Sequence, residues 1–302
     1  MISENLTELA GRRVVDFEPS EGIARPHDVV YRVRTEYDGP DFHELLAAFL
    51  ADPRVGEIPA LVIGAFNFEA SEDTREIVRT LVAHRQKLSN LRTLFLGDIT
   101  SEEQEISWIQ QSDISSLWEA FPQLEHLQVR GGQDLSLGTI RHANLRVLIL
   151  ESGGLPATVL RQVASADLPR LEHLELWLGS DNYGGDSTIR DLDPILDGRF
   201  PSLRRLGLCD SESADHIAAA VVDSPVMDRL EVLDLSLGTL SDVGAAALLA
   251  SPKLARLKKL DLHHHYLSED MMEAFQELGI EVDLSDPRAQ EDGEDRYIAV
   301  SE

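Results

Sequence analysis

The sequence predicts an α/β solenoid: a curved, horseshoe-like stack of strand-and-helix units, with a parallel sheet on the concave side and helices on the convex side. Three observations lead to this. The motif L-x-x-L-x-L recurs along the chain, several copies lie near 27 residues apart, and the segments between copies carry capped helix patterns.

The elements follow in chain order. Residues 14–34, VVDFEPSEGIARPHDVVYRVR, read as two short strands around a Gly/Pro loop and so as a cap over the first repeat. DFHELLAAFL begins with Asp41 and has Glu44 three residues on, a helix start resembling a capping box. SEDTREIVRTLVAHRQKL carries Ile77, Val78, Leu81 and Val82 on one helical face. The strand motif is clearest in LSNLRTLFL ending at Leu96, FPQLEHLQV at Val129, HANLRVLIL at Leu150 and LPRLEHLEL at Leu176. It continues in FPSLRRLGL at Leu208, MDRLEVLDL at Leu235 and LARLKKLDL at Leu262. Degenerate copies flank these, IPALVI ending at Ile63 and LGIEVDL at Leu284. The central positions are Leu61, Leu94, Leu127, Leu148, Leu174, Leu206, Leu233, Leu260 and Val282, with spacings of 33, 33, 21, 26, 32, 27, 27 and 22. The 21-residue unit, with RGGQDLSLGTIRHAN, is too short and Gly-rich for a good helix and should cross as turn or 3₁₀ structure. SDVGAAALLASP offers Ser241 as N-cap, with Val243, Ala247 and Leu248 on one side and Pro252 as a stop. SEDMMEAFQEL offers Ser268, then Met271, Phe275 and Leu278. The expected organisation is a cap over 1–57, repeats over 58–284 and an acidic tail over 285–302, whose RYIAVSE could add a last strand or simply fray.

The physical reason for stacking is side-chain alternation. Along a strand Leu233 and Leu235 face one way, Asp234 and Ser236 the other. One unit cannot bury its Leu row alone, but a stack can. Composition agrees: hydrophobic residues make up 43% and aromatics only 6%, so aliphatic side chains must fill the core.

Charge bounds the partners. Fifty-four acidic against 27 basic residues give a formal net charge of -27, with no basic stripe for nucleic acid. Anionic membranes would repel such a surface, whereas basic protein partners would be favoured. The single cysteine, Cys209, excludes a disulfide framework and fits a reducing compartment. MISENLTELAGRR lacks the apolar stretch of a secretory signal, and no run of 18 apolar residues occurs, so a cytoplasmic location is expected.

From about Ile58 to Leu284 the chain resembles the leucine-rich-repeat superfamily, most closely its ribonuclease-inhibitor-like members. It is similar to bacterial leucine-rich-repeat proteins of unassigned function and cytoplasmic location. The resemblance implies ligand binding, usually of a protein, and no catalysis. One departure stands out. The position three residues after the last strand Leu, normally Asn, holds Gly132, Gly153, Gly179, Ser211, Gly238 and His265, so a regular Asn ladder is in doubt.

The register exposes two rows on the concave face. The central row runs Val62, Phe95, Gln128, Ile149, Glu175, Gly207, Asp234, Asp261, Asp283. The next runs Gly64, Gly97, Arg130, Glu151, Trp177, Cys209, Ser236, His263, Ser285. Asp234, Asp261 and Asp283 should form a ladder of like charges that raise one another's pKa unless a cation intervenes. Two readings are open: a site for Lys, Arg or a metal, or a solvated acidic face. In HHH at 263–265 only His263 shares the face of Asp261, and His265 should bond backbone in place of Asn. Acids beside Cys209 disfavour a thiolate. No Walker, nucleophile-elbow, zinc-protease or dinucleotide motif occurs, and no cofactor is expected.

The oversize repeats, with insertions at 97–121 and 177–200, follow strands and should emerge on the same rim. Trp108, and Trp177 with Tyr183, are either binding anchors or plugs of the solenoid edge. The expected binding surface thus comprises Trp108, Gln128, Arg130, Glu151, Glu175, Trp177, Tyr183, Asp234, Asp261 and His263. It would grip a protein or peptide with basic residues, as in a non-catalytic scaffold or adaptor. The alternative is a metal-dependent hydrolase using Asp234, Asp261 and His263.

Overall fold

The computed structural model describes residues 2–67, 72–289 and 295–301. Twelve strands form one sheet in strict sequence order. They are β1 (Glu8–Leu9), β2 (Arg12–Asp16), β3 (Val29–Val33), β4 (Ala60–Gly64), β5 (Thr93–Asp98), β6 (His126–Arg130), β7 (Val147–Glu151), β8 (His173–Gly179), β9 (Arg205–Ser211), β10 (Val232–Asp234), β11 (Lys259–Asp261) and β12 (Glu281–Asp283). Only β1 and β2 pair antiparallel; every later pair is parallel. Parallel neighbours need a crossover, and most crossovers here contain a helix. These are α1 (Phe42–Ala51), α2 (Arg75–Ala83), α3 (Ser116–Ala120), α4 (Ala157–Ala164), α5 (Ile189–Leu196), α6 (Ala214–Val222), α7 (Asp242–Ala250) and α8 (Glu269–Gln276). An ordered stack of strand-crossover units is the arrangement a solenoid requires.

The register is the one the motif spacing implies. Leu61, Leu94, Leu127, Leu148, Leu174, Leu206, Leu233, Leu260 and Val282 are successive partners across the sheet. All eight leucines are fully buried between sheet and helices. Burying each such side chain contributes about 1.5–3 kcal/mol, which is how one repeated residue builds a core with few aromatics.

Local signals explain the helix starts. Asp41 accepts from Glu44 N at 2.9 Å, Ser241 from Val243 N and Ser268 from Met271 N. The buried stripe of α2 is Ile77, Val78 and Leu81; Ser71, the first residue of the segment read as that helix, lies outside the described residues. In α7 the expected inner face is rotated. Val243 is 74% exposed, while Gly244, Ala245 and Leu248 face inward. Asp215 Oδ1 accepts from Gly244 N at 3.1 Å, a side-chain approach that holds this small residue inward. The short unit between β6 and β7 crosses without α-helix or 3₁₀ turn among the described residues.

Two features lie beyond the expected organisation. The parallel sheet begins well before residue 58, since β2 and β3 are parallel neighbours and residues 17–28 form their crossover. Within 285–302, residues 290–294 and 302 lie outside the described residues, and 295–301 adds no strand but crosses the strand-end rim. At that rim the chain turns through left-handed residues four positions after the aligned Leu or Val: Gly131, Asp210, Leu237, His264 and Asp286. A non-Gly residue there costs about 1 kcal/mol or more, and its recurrence in consecutive repeats shows that the stack imposes it. His265, one position on, is fully buried. Its Nε2 meets Leu284 O at 3.1 Å and its Nδ1 accepts from Leu267 N, the backbone service an Asn would give.

Candidate functional site

The sheet face opposite the helices divides in two. On its first half the expected floor of a binding groove is closed. Gln128, Arg130 and Glu151 are only 7%, 5% and 5% exposed. Gln128 Nε2 and Arg130 Nε both donate to the Glu151 carboxylate at 2.5 Å, and the Arg130 guanidinium lies 5.2 Å from the Phe95 ring. A β-bulge between Ile63 and Gly64, opposite left-handed Gly97, changes the row. Asp98 rather than Gly97 stands opposite Gly64. Asp98 is fully buried, ion-paired to Arg32 at 2.7 Å and 3.7 Å from Arg130. It also accepts from Leu6 N. Leu6 and Leu9 cover Val14, Val30, Ala60, Val62 and Phe95 as a second apolar cluster. Gln128, Arg130 and Glu151 therefore serve an internal polar network, not an open floor. Strand alternation places a residue on a face but does not show what a segment 90 residues away lays over it.

On the second half Asp234 and Asp261 are as buried, at 5% and 7% exposed, while Glu175, His263 and Asp283 are half-buried, and the charges are interleaved. Asp234, Asp261 and Asp283 are register partners, as expected of a ladder. Only Asp234 has a raised pKa, from burial first and from neighbouring Asp261 and Glu175 as well. Asp261 and Asp283 are held below the usual range instead. Burial opposes ionisation of Asp261, but His263 Nδ1 at 2.7 Å and Lys259 Nζ at 2.9 Å outweigh it. Ser285 Oγ donates to Asp283 at 2.7 Å. Asp261 in turn raises the pKa of His263. Glu175 is likewise lowered against its burial by His173 at 3.2 Å and Trp177 Nε1 at 3.0 Å. Arg205 lies 3.9 Å from Glu175 and 3.5 Å from Asp234. The mutual raising expected along the ladder thus holds only at Asp234, because the chain supplies its own cations. Donor atoms of Asp261, His263 and Asp283 come within 4.8 Å of one another. Both Asp261 oxygens are already engaged by Lys259 and His263, so a divalent ion would have to displace an ammonium. Cys209, fully buried beside Asp234, has its thiol pKa pushed well up by burial and those acids, which leaves no thiolate nucleophile.

The rim at the strand ends brings the two insertions together. Trp108, in the 3₁₀ turn Ile106–Trp108, and Tyr183, in the turn Asp181–Tyr183, line one cleft of about 780 Å³ whose lining includes Gly132, Gln133, Ser152 and Gly154. Trp108 is 56% exposed; Tyr183 is half-buried. The Tyr183 loop seats closely because Gly154 has no side chain: a Cβ there would lie 2.3 Å from Tyr183 O. Trp177 lines neither wall. It sits half-buried on the sheet face beside Cys209, bonded to Glu175. Tyr183 also borders a second cleft, of about 800 Å³, with Glu212, Asp215, Arg296, Tyr297 and Ile298. The segment 295–301 runs along this edge. Arg296 Nη1 donates to Thr239 O at 2.9 Å and pairs with Asp215 at 3.3 Å. Ala299 N donates to Leu237 O at 2.8 Å and Val300 N to Asp210 Oδ1 at 2.9 Å. Val300 borders Ile2, Ile99 and Ile106. Sequence reasoning missed Asp98 and Asp210, and read RYIAVSE as a possible last strand rather than as a segment seated on the rim. The only local hints were an acid after Gly97 and the apolar alternation in YIAV.

Among the described residues no helix is long and apolar enough to cross a membrane. No family model matches the chain, and no curated protein does. Among solved structures, a Bacteroides fragilis protein determined as a structural-genomics target is 34% identical, with a TM-score of 0.81, over 86% of this chain and 75% of that one. Human 5T4, also called Wnt-activated inhibitory factor 1 or trophoblast glycoprotein, is 18% identical over 85% of this chain and 76% of its own, but superposes only at a TM-score of 0.37. Identity, coverage and superposition agree for the bacterial protein, and the chain belongs to its family.

Proposed function

We propose that the protein is a non-catalytic protein-binding scaffold that grips its partner on the loop-bearing rim. The observation that carries this is the cleft shared by Trp108 and Tyr183, two aromatics delivered by separate insertions to one place. Aromatic side chains on a rigid frame are common anchors for a partner's apolar residue. On the second half of the sheet face, half-buried Glu175 and His263 add to this surface, while Asp234 and Asp261 lie buried beside them and act through their charge. In this reading the repeats over 58–284 are leucine-rich repeats of the ribonuclease-inhibitor-like subclass, curved as a horseshoe, with 1–57 as a cap and 285–302 as an acidic tail. The net charge of -27 supports basic protein partners in the cytoplasm over nucleic acid or membrane. The own-chain cations on the acidic ladder limit that preference to the rim and outer surface.

The test uses purified full-length protein and the partner captured with it from the native cell. Titration calorimetry should give at least about a tenfold loss of affinity for Trp108→Ala and for Tyr183→Ala, since each anchor is worth more than 1.4 kcal/mol if it is a hot spot. Affinity should also fall with salt. Unchanged affinity in both variants would overturn the reading.

A further inference from the structure

The segment 295–301 is seated as a bound peptide would be. It runs without regular secondary structure, bends at Ala299 and turns two aliphatic residues inward: Ile298 and Val300 are 7% and 4% exposed, while Tyr297 is 67% exposed. Its backbone donates to fixed acceptors of the rim, Leu237 O and Asp210 Oδ1. Both acceptor residues sit in left-handed turns, φ +65° and +51°, the conformation that recurs at the same position in neighbouring repeats. Asp210 is fully buried; among the described residues its Oδ2 has no hydrogen-bond partner, while Val300 N donates to its Oδ1 and Ala299 N lies close enough to stabilise the ionised form. A buried carboxyl that takes the backbone N–H of a separate segment is satisfied through that segment, which ties the two together. The cation Arg296 meets Asp215 at the groove's far end. These are elements of peptide recognition: main-chain bonds for affinity, side-chain pockets for selectivity, and a charge that sets register.

We propose that this groove is a peptide-binding site whose external ligand is a partner's segment of the pattern cation, aromatic, aliphatic, small, aliphatic, and that residues 296–300, Arg-Tyr-Ile-Ala-Val, occupy it as an internal stand-in. The stand-in is exchangeable by its own balance. Two buried aliphatic side chains, a partly exposed ion pair and the rim hydrogen bonds together oppose the ordering of seven residues, and none of these terms alone outweighs it. Tethering raises its effective concentration to the millimolar range, so an external segment competes only when it is better matched or locally concentrated. The inference rests on the reading of the rim as a binding surface but names a different groove from the Trp108 cleft.

The probe is a fluorescent peptide of residues 296–301, Arg-Tyr-Ile-Ala-Val-Ser, followed by anisotropy. It is titrated into the full chain and into a variant carrying Ile298→Asp and Val300→Asp, which empties the groove. The expected result is saturable binding to the variant with a Kd of about 100 µM or tighter, and at least tenfold weaker binding to the unmodified chain. A peptide with Asp at both aliphatic positions should not bind, and Asp210→Ala in the emptied background should abolish binding. If circular dichroism shows the double variant unfolded, the same titration is run on protein with a protease site in place of residues 290–294, before and after cleavage. No binding to the emptied or cleaved protein at 1 mM peptide, or equal binding to emptied and unmodified chains, overturns the proposal. So does a concentration-dependent dimer that the double variant loses, since that assigns the groove to a second copy. Partner capture through Trp108 can succeed while this titration fails, so the two readings fail separately.

Discussion

Replacing Arg130 by Ala decides whether the first half of the sheet face is a frame or a binding surface. Arg130 is 5% exposed, bonds Glu151 at 2.5 Å and Ile99 O at 2.9 Å, and covers Phe95. Removing it leaves the buried Glu151 carboxylate with Gln128 as its side-chain partner, and leaves Asp98 with Arg32 as its remaining ion pair. Deleting one member of a buried ion pair costs about 3–5 kcal/mol, against about 0–1 kcal/mol for a solvent-exposed pair. At about 2.1 cal/mol/K per residue, the 302 residues have an unfolding entropy near 0.63 kcal/mol/K. The loss should therefore lower Tm by about 5–8 °C. Because the pair is shielded from solvent, the drop should be nearly equal at about 0.15 and 0.5 M salt. Calorimetric melting of both proteins at both salts measures it. In the Arg130→Ala, Glu151→Ala double variant the loss should be smaller than the two single losses added, since no carboxylate is then stranded. A drop under 2 °C, or one that high salt removes, would show that these side chains are solvated and would return them to the candidate partner surface.

Three further outcomes are expected. Leu206→Ala, fully buried between Leu174 and Leu233, should cost about 2–5 kcal/mol in urea unfolding, whereas Val243→Ala on the exposed face of α7 should stay within about 0.5 kcal/mol; similar losses for the two would contradict the register. His263 has its pKa raised above 6.5 by Asp261, so its stabilising contribution is complete below about pH 6.5 and is lost as pH rises through the folded value. The Tm advantage of the unmodified chain over His263→Gln should shrink from pH 6 to 9, and a constant difference would refute the pair. Asp210 has its pKa pushed well above 3.8 by burial, so its contribution is present below that value and lost as pH rises through the folded one. Asp210→Asn, which keeps an acceptor for Val300 N and carries no charge, should gain Tm relative to the unmodified chain from pH 4 to 8. A gap that closes over that range would argue against a buried carboxyl.

The sequence by itself determined the stack. Leu at alternate strand positions, repeated at a nearly constant interval, has one way to leave water, and that way fixes both the parallel order and the partner of each strand from Leu61 to Val282. Short-range signals were equally readable: Asp41, Ser241 and Ser268 as caps, and His265 as a backbone-bonding substitute for Asn. Only the tertiary structure decided which face residues are available. Gln128, Arg130 and Glu151 follow the alternation expected of them yet are closed off, because a bulge turns Asp98 into their row and residues 6–9 fold over it. The acids at 234, 261 and 283 form their ladder, but Lys259, His263 and Arg205 alter its charges from positions that a carboxylate count ignores. Periodicity is local and survives in a one-dimensional reading. Burial, ion pairing and the seat of residues 295–301 on Asp210 depend on segments far apart in sequence, 90 residues for Val300 and Asp210, whose meeting is set by how many repeats lie between them and by the loops that close each turn.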